Sequence, residues 1–492
     1  MSNDGDMEVR RLIAQAMAPL QKRIAELEAR VVELEKENAA LQAENAALKA
    51  ENLALKAEIA RLKKNSSNSS KPPSSDIVKP PKPTPPQGGK RKIGGQPGHE
   101  GHFRPPFTAQ EIDRVVPHTL TTCPGCGGKL TPAKAPPRVV QQVELVPRLV
   151  EVTEHRAGGF YCKHCDKVHY ASLPAAVAQG GLLGPELTAL VGYLKGMCHT
   201  SFTTIRKLLR DVFKVTLSRG QLAKVIDKAA TAMAGAYEQL RALLPEEAHL
   251  HVDETGHKAH GKPWWTWCFR ADLYTLFKID HSRGSAVLVE MLGQEFNGVL
   301  GCDYFSAYHK YMEDFGVAVQ FCLAHLIRDV KFLTELPDPV TAAYGQRVLA
   351  GLRQIFHVIH RRETMAPARF PRALEQAREK LVAVGRRAPP RAEAQNMARR
   401  FREHGADYFR FITTPGVQPT NNLAEQAIRF VVIDRLITQG TRSQRGRHWS
   451  ERIWTAIATC TQQGRSVFEY LRQSIVALFN KTPPPSLLPT GA

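Results

Sequence analysis

The sequence predicts a multidomain protein whose largest part is an α/β domain with a helical insertion. Three observations lead to this prediction: a seven-residue leucine repeat near the N-terminus, two Cys-x-x-Cys pairs, and strand and helix patterns that alternate over residues 249–322. A chain of 492 residues is too long for one typical domain. We expect six segments, at 1–64, 65–110, 111–175, 180–245, 246–440 and 441–492.

The charge balance favours a polyanionic partner. Lys and Arg number 67 against 47 Asp and Glu, which gives a formal charge of +20 at pH 7. Double-stranded DNA is the leading candidate. No apolar run reaches the length of a membrane span and no hydrophobic signal region begins the chain, so we expect a cytoplasmic protein with no membrane partner. The nine cysteines form one double pair and five singles, which suits a reducing compartment.

Segment 1–64 carries an unbroken heptad repeat. Leucine recurs every seventh residue from Leu20 to Leu62, which predicts a leucine-zipper coiled coil. Asn38, Asn45 and Asn52 occupy the other seam position, where Asn pairs best across a parallel two-stranded seam. We therefore expect a homodimer or higher oligomer. The alternative is a single amphipathic helix packed on the body of the protein.

Segment 65–110 is rich in Pro, Ser, Gly and Lys, which cannot bury a core, and we expect an extended cationic linker. In segment 111–175, CPGC and YCKHC flank a strand-rich insert, the pattern of a zinc ribbon. The predicted ligands are Cys123, Cys126, Cys162 and Cys165. Four thiolates leave Zn²⁺ no open position, so its role is structural. Redox-active cysteines are the alternative, and we leave His164 and His169 out of the ligand set.

Segment 180–245 is predicted to be helical and to resemble a helix-turn-helix. TSFTTIRKLLRDVF and KVTLSRGQLAKVIDKAATAM form two helices joined by a short turn, and Ser218 is a good N-cap for the second. The first turns of a second helix enter the major groove in such a motif, so the candidate DNA contacts are Arg219, Gln221 and Lys224. An ordinary helical hairpin is equally compatible with the pattern.

The run HLHVD, WWTWCFRA and LYTLFKID predicts three consecutive antiparallel strands, followed by helix, strand, helix and strand up to VAVQFC. Asp253 ends the first strand before a Thr-Gly turn, and Asp303 ends the fourth strand. Two carboxylates held close together repel unless a cation lies between them, which favours a divalent-metal site. Acids that simply finish strands in solvent are the alternative.

Other residues flank Asp253. We expect Glu254 on the opposite face of the strand, as a supporting or turn residue. His249, His251 and His257 suggest a zinc site, but we expect strand alternation to put only some of them on the Asp253 face. Hard oxygen ligands also fit Mg²⁺ better than imidazole does.

A third acid is required C-terminal to Asp303. The candidates are Glu335, Glu375, Glu393, Asp407 and Glu425. Glu425 is the best placed, because PTNN starts a helix and puts Glu425 one turn inside it. Ala424, Ala427 and Ile428 are available to pack that helix on the sheet.

These residues also carry a family resemblance. HVDETGHK, GCDYFSAY, CLAHLIRD and PTNNLAEQAIR, with NSSNSSKPPSSD and the two cysteine pairs, resemble the transposases of the insertion-sequence 66 family. The resemblance runs in order over nearly the whole chain. It implies an RNase H-like catalytic domain of DDE type in residues 246–440, with a helical insertion at about 338–410. It also implies DNA cleavage and strand transfer at the terminal inverted repeats of a mobile element.

In that family frame Asp253, Asp303 and Glu425 are the catalytic triad, and they hold Mg²⁺ or Mn²⁺ with Asp253 between two ions. Water and then the freed 3'-hydroxyl serve as nucleophile. The resemblance further implies a bacterial protein that associates with the nucleoid when bound to DNA, and two small accessory proteins encoded beside the gene as partners.

Two further groups are assigned accessory roles. Cys322 and His325 resemble a Cys-x-x-His feature of several DDE transposases and either order the active site or contact DNA; a packed thiol and a helix-start histidine are the alternative. The basic run that leads into the helical segment 441–492 is expected along the DNA phosphates, although a solvated surface is the alternative. Its candidate contacts are Arg435, Arg442, Arg445 and Arg447.

Two other functions fit the same modules. One is a non-catalytic DNA-binding regulator derived from a decayed element. The other is a structure-specific nuclease on the same fold, which cuts junctions without joining a 3'-end to new DNA.

Overall fold

The computed structural model describes the chain in blocks. The described residues are 4–65, 68–69, 105–122, 124–129, 131, 138–146, 149–162 and 164–489. They form two compact units. One unit lies within Met1–Pro80, Pro174–Phe202 and Gly220–Ala492, and the other within Pro81–Leu173 and Thr203–Arg219. Most of the linker predicted at 65–110 lies outside the described residues.

Helix α1 (Asp4–Leu62) is a single helix of 59 residues, which confirms the predicted N-terminal helix. The seam leucines face solvent in the single chain, from 47% exposure at Leu34 to 63% at Leu41. Most helical stability in proteins comes from packing of an apolar face. Over most of its length α1 therefore lacks the packing that stabilises a helix within one chain.

The second unit contains two short strands, β1 (Gly159–Cys162) and β2 (Lys167–Tyr170), which pair antiparallel around the second cysteine pair. Cys126 lies between the residues of an isolated antiparallel bridge, Thr122 and Lys129. Cys126 and Cys165 each lie in a turn of the chain.

The prediction of a strand-rich insert between the cysteine pairs is wrong for the described part of that insert. Residues 138–146 and 149–158 form no strand. Their apolar side chains lie exposed, as at Val140 with 90% exposure. A strand is defined by ladder hydrogen bonds to a neighbour, so β-branched composition alone does not produce one.

In the described part of the chain, five α-helices lie between β2 and the main sheet. They are α2 (Ala175–Gly180), α3 (Pro185–Gly196), α4 (Phe202–Asp211), α5 (Arg219–Ala232) and α6 (Ala234–Leu243). Helices α4 and α5 are the two helices that the sequence predicted, and α5 begins directly after Ser218. Leu222 and Ile226 of α5 are buried, so this helix is amphipathic at the expected spacing.

The α/β part is built on a five-stranded sheet. Its elements are β3 (His249–Ala259), β4 (Lys262–Arg270), β5 (Thr275–Asp280), α7 (Ala286–Leu292), β6 (Val299–Cys302), α8 (Ser306–Phe315) and β7 (Ala318–Phe321). The spatial order is β5-β4-β3-β6-β7. The pairs β3–β4 and β4–β5 are antiparallel, whereas β3–β6 and β6–β7 are parallel. The predicted succession of three antiparallel strands, helix, strand, helix and strand is confirmed.

Strand β3 is longer than predicted, and the expected Thr-Gly turn after Asp253 is wrong. Thr255 and Gly256 continue the strand and pair with Thr266 and Trp265 of β4. The chain reverses at His260 and Gly261, both with positive φ (52° and 75°). Asp253 therefore lies in the middle of a long hairpin strand, because antiparallel pairing with β4 continues well beyond the short parallel contact with β6.

Nine helices follow the sheet. They are α9 (Leu323–Thr334), α10 (Pro339–His360), α11 (Arg369–Arg386), α12 (Ala392–Glu403), α13 (Gly405–Tyr408), α14 (Arg410–Thr413), α15 (Asn422–Thr438), α16 (Gln444–Gln462) and α17 (Val467–Asn480). Helices α10 to α14 thus occupy the chain between the last strand and the helix that carries Glu425. Within the described parts of the chain, no helix is both long and apolar enough to cross a membrane.

Helix α16 covers the free edge of the sheet at β5. The backbone N–H groups of Thr275, Phe277 and Ile279 donate to side chains of α16 at 3.1, 3.1 and 2.7 Å. The acceptors are Thr459, Thr455 and Glu451 in that order, spaced four residues apart on one helix face. An exposed strand edge can pair with other chains through its free N–H groups. At β5 the side chains of α16 accept hydrogen bonds from those N–H groups instead.

Candidate active site

Asp253 and Asp303 lie at the same level of two neighbouring parallel strands. The pairing of β3 with β6 ends at His251 opposite Gly301, and each Asp follows two residues later. A Cβ at Gly301 would come within 2.8 Å of His251 Nδ1, so glycine permits this close approach. Side chains two residues apart on a strand point to the same face, and two residues cover the same length on both strands. The strands that carry the two acids, β3 and β6, are thus neighbours in the sheet.

Glu425 reaches the same region because the start of α15 is tied to β3. The buried Asn421 donates from Nδ2 to the Val252 carbonyl at 2.8 Å, and its Oδ1 lies 3.1 Å from His251 Nδ1. Its side chain makes no helix-capping bond, so this Asn connects α15 to the sheet. The Glu425 N–H donates to the Asn421 carbonyl at 3.2 Å, which places Glu425 one helical turn later.

Asp253 and Asp303 are buried close to other carboxylates, whose negative charge repels their own. Burial, with the charges of Glu254, Asp303 and Glu425, raises the pKa of Asp253 well above its usual range. Burial and the Glu254 charge raise the pKa of Asp303 to about 7. Each Asp Oδ1 accepts a backbone N–H bond, from Glu254 at 2.9 Å and from Phe305 at 3.0 Å. Both side chains keep some contact with solvent, so a cation can reach them.

Glu254 lies on the opposite face of β3, as expected, and of its two expected roles, supporting residue or turn residue, the structure excludes the turn because the strand continues to Ala259. Its side chain is 1% exposed. Arg283 donates to its Oε1 from Nε at 3.0 Å and from Nη2 at 2.8 Å, and the Tyr308 hydroxyl donates to its Oε2 at 2.6 Å. Burial raises the pKa of Glu254, while Tyr308 and Arg283 act against that rise. This carboxylate is paired and hydrogen-bonded, as buried charges generally are.

Arg283 is held between two aromatic rings. Its guanidinium carbon lies 4.4 Å from the centroid of Trp265 and 3.8 Å from that of Phe305. Because the Phe305 N–H binds Asp303, this packing also orients the Asp303 loop. Sequence reasoning missed Arg283 and Tyr308, since their sequence neighbourhoods carry no signal linking them to Glu254.

The prediction that only some of the three histidines share the Asp253 face is wrong. His249, His251 and His257 differ from Asp253 by even numbers of residues in an uninterrupted strand, so all three lie on its face. His257 Nε2 lies 3.0 Å from Thr441 Oγ1, and burial lowers the pKa of His257 to about 4. His251 thus lies against the start of α15, and His257 against the chain that follows that helix.

Cys322 and His325 lie beside Glu425. The His325 Nδ1 is 3.5 Å from Glu425 Oε1, and Arg328 Nη2 is 3.1 Å from the same oxygen. Cys322 Sγ accepts the Asn421 N–H at 3.2 Å. Burial and the Arg328 charge lower the pKa of His325 to about 4, so the ring is neutral at pH 7. Sequence reasoning missed Arg328, although its i+3 spacing from His325 puts both on one helix face.

Among the described residues, one group of three side chains brings its donor atoms close enough together to hold a metal ion. Cys322 Sγ, His325 Nδ1 and a Glu425 oxygen lie within 4.8 Å of one another, a set that suits zinc-like ions. The guanidinium of Arg328 on the same oxygen opposes a second cation there. The carboxylates of Asp253 and Asp303, with Glu425 nearby, form a harder oxygen set whose charge is uncompensated.

The candidate DNA contacts differ in their exposure to solvent and in the contacts that they already make within the protein. Arg219, Gln221 and Lys224 are exposed, and Arg219 Nη2 donates to Thr203 Oγ1 at 2.8 Å. Arg435 is half-buried and donates to Thr255 Oγ1 at 3.1 Å beside β3. In the following segment Arg442 and Arg445 are exposed, whereas the Arg447 guanidinium lies 4.4 Å from the Trp264 ring centroid.

The four predicted zinc ligands are partly described. Cys123 and the side chain of Cys162 lie outside the described residues. Cys126 and Cys165 are exposed free thiols. Cys165 Sγ lies 3.1 Å from His169 Nε2, so a histidine that sequence reasoning left out adjoins the second cysteine pair.

Comparison with known proteins identifies the class of the chain. Residues 180–448, more than half of the sequence, match the family described as "Transposase IS66 family". Residues 121–166 match the "zinc-finger binding domain of transposase IS66". Residues 16–105 match a family of unknown function (DUF6444). The protein belongs to the IS66 family of transposases.

One curated relative is itself uncharacterised. The protein y4hP of Sinorhizobium fredii is 29% identical to this chain over 148 residues, which is 30% of this chain and 26% of y4hP. The chain thus spans about a quarter of the length of that relative.

Proposed function

We propose that this protein is a DNA transposase that binds the terminal inverted repeats of its element, cleaves DNA there and transfers the freed 3'-ends. The observation that carries the proposal is the convergence of Asp253, Asp303 and Glu425 in one negatively charged cluster. The strand order, with α10 to α14 between Asp303 and Glu425, supports an RNase H-like core of DDE type at 246–440. Family membership supports the same activity.

The triad fits Mg²⁺ or Mn²⁺. Its donors are carboxylate oxygens, which hard cations prefer, and the raised pKa values of Asp253 and Asp303 indicate negative charge that lacks a balancing cation. Bound there, a divalent cation supplies the positive charge that activates a water or 3'-hydroxyl nucleophile and stabilises the leaving oxygen. In this proposed reaction no Ser or Tyr side chain serves as the nucleophile.

The chain's own residues prepare the third ligand. Arg328 and the neutral His325 hold the Glu425 carboxylate beside α9, and Cys322 fixes the start of α15 through the Asn421 N–H. On the other face, Glu254 with Arg283 and Tyr308 stiffens the strand that carries Asp253. We assign Cys322, His325 and Arg328 positioning roles.

DNA recognition and assembly are assigned to the other modules. The zinc-finger match supports structural Zn²⁺ on Cys123, Cys126, Cys162 and Cys165. The exposed seam of α1 supports a parallel two-stranded coiled coil in a dimer or higher oligomer. We propose DNA contacts for α5 and for Arg442, Arg445 and Arg447, with Arg435 held against β3. From the family resemblance we also propose two small accessory proteins, encoded beside the gene, as partners.

The decisive test compares Asp303→Asn with Asp314→Asn, an exposed Asp on the neighbouring helix α8. With Mg²⁺ and a duplex carrying the element's terminal repeat, Asp303→Asn abolishes end cleavage and leaves DNA binding unchanged in fluorescence anisotropy. The Asp314→Asn protein cleaves normally. Unchanged cleavage by Asp303→Asn contradicts the triad. Binding without cleavage by the wild type favours a regulator, and junction cutting without end joining favours a nuclease.

A further inference from the structure

The chain just after α1 is a packed turn. The exposure is 8% at Asn65, 5% at Asn68 and 0% at Ser69. The Asn65 N–H donates to Asn68 Oδ1 at 2.8 Å, the Asn68 N–H to the Asn65 carbonyl at 3.3 Å, and Ser69 Oγ to the same carbonyl at 2.6 Å. These residues begin the segment that its composition predicts to be a solvated linker, and they are buried instead.

This Asn-Ser turn (Asn65, Asn68 and Ser69) and the end of α1 pack against α9 and α12. Asn68 Nδ2 donates to Glu335 Oε2 at 2.6 Å, directly after α9. Arg61 donates to Glu393 Oε1 in α12 from Nη2 at 2.7 Å and from Nε at 3.2 Å. Three different kinds of contact hold the two parts together, since a cation–π contact adds to the hydrogen bond and the ion pair.

That cation–π contact joins Lys64 to Phe332 in the last turn of α9, at 4.4 Å from Nζ to the ring centroid. Burial on α1 also starts here: residues 7–56 are exposed, and Ala57 is the first buried position at 6% exposure. The contact is therefore confined to the C-terminal end of the helix and leaves the leucine seam open.

Helix α9 connects this contact with the candidate active site. Its last turn carries Phe332, whereas its first turns carry His325 and Arg328, which contact Glu425. A helix of 12 residues spans about 18 Å and transmits the position of one end to the other. The end of α1 and the Glu425 carboxylate are thus held by one rigid element.

We propose that the Asn-Ser turn is a rigid joint that fixes α1 to the catalytic core, so that the coiled coil sets the separation of two catalytic centres. This inference rests on the proposed dimer and transposase function.

Disulfide trapping tests the joint without any activity measurement. Arg61→Cys combined with Glu393→Cys forms an intrachain disulfide on mild oxidation of the full-length protein, detected by peptide mass. The control pairs Glu51→Cys with Glu393→Cys; Glu51 lies ten residues earlier on α1, about 15 Å away, and gives no such product. Equal trapping of both pairs, or a product that links two chains, contradicts the joint.

Insertion of Gly-Ser after Leu62 tests whether the joint sets the separation of the two catalytic centres. The control is the same insertion between Pro80 and Pro81. The first insertion lowers joining of paired ends by about tenfold or more, because small misplacements of reacting groups cost that much. Dimerisation by analytical ultracentrifugation and Mg²⁺-dependent nicking of a single end stay within about twofold of wild type. The control keeps all three properties.

Unchanged paired-end joining after the Leu62 insertion overturns the joint as a determinant of spacing. Absence of DNA cleavage by the wild type instead contradicts the proposed function, and disulfide trapping then still decides whether the joint exists.

Discussion

Asp253 and Glu254 are adjacent on β3, yet the fold surrounds their carboxylates differently. Glu254 is enclosed and accepts hydrogen bonds from Arg283 and Tyr308. Asp253 accepts a backbone N–H bond, and the charges that raise its pKa are those of three other acids. A buried carboxylate that is paired with a cation can keep its charge inside the fold, whereas one buried among carboxylates requires a cation from outside to do so. The uncompensated charge, more than the number of acids, marks the functional face.

The largest expected difference between the faces is in activity. Asp253→Asn lowers Mg²⁺-dependent end cleavage by at least about a thousandfold, because it removes several kcal/mol of transition-state stabilisation. Its thermal stability is equal to or above that of wild type, since the change removes repulsion. Glu254→Gln shows the reverse, with lower thermal stability and more cleavage than Asp253→Asn. Equal effects of both changes on cleavage would contradict separate roles for the two faces.

Removal of Arg283, the cation paired with Glu254, tests whether this ion pair stabilises the fold. Arg283→Ala leaves a buried carboxylate without its ion pair and lowers the free energy of unfolding by about 2–4 kcal/mol, reduced from the fully buried case because Arg283 is partly exposed. Chemical denaturation measures this loss. Arg445→Ala, at a side chain that is 82% exposed, changes it by less than about 0.5 kcal/mol. A loss as small for Arg283→Ala would show that the pair does not stabilise the sheet.

Asn421 tests how the Asp253 face acquires its third acid. Asn421→Ala breaks the bonds to Val252 and His251 and lowers the free energy of unfolding by about 1–3 kcal/mol. It also weakens Mn²⁺ binding measured by titration calorimetry, because Glu425 loses its fixed position. Asn422→Ala, at the exposed next residue, affects neither quantity. Wild-type Mn²⁺ affinity in Asn421→Ala would exclude the positioning role.

The smallest expected effect is a pH dependence from Asp303. Its pKa rises from a usual 3.8 to about 7, so its stabilising contribution to the metal-free fold is complete below about pH 4 and is lost as the pH rises through 7. Asp303→Asn imitates the protonated form. In EDTA, its unfolding free energy relative to wild type rises between pH 4 and pH 8, by about 1 kcal/mol after allowance for partial exposure. A difference that is flat with pH would contradict the raised pKa.

The sequence predicted the acids of the site better than their surroundings. Asp253 and Asp303 follow apolar strand patterns, and Glu425 follows a helix start, so local signals placed all three. Arg283 and Tyr308 were missed because they meet Glu254 only in the tertiary structure, 29 and 54 positions further along the chain. The strand-rich insert failed for a related reason: composition indicates which residues tolerate a strand, but a strand needs a partner.

Local sequence patterns by themselves predicted the α1 helix and the succession of strands and helices in the α/β part, since helices and hairpins depend on residues close in sequence. Only the tertiary structure decided which carboxylate is compensated, why Asn421 binds β3 instead of capping α15, and why Asn65, Asn68 and Ser69 are buried. Burial and charge pairing depend on residues that are distant in sequence, from 29 positions between Glu254 and Arg283 to 267 between Asn68 and Glu335, and the packed fold alone brings them together.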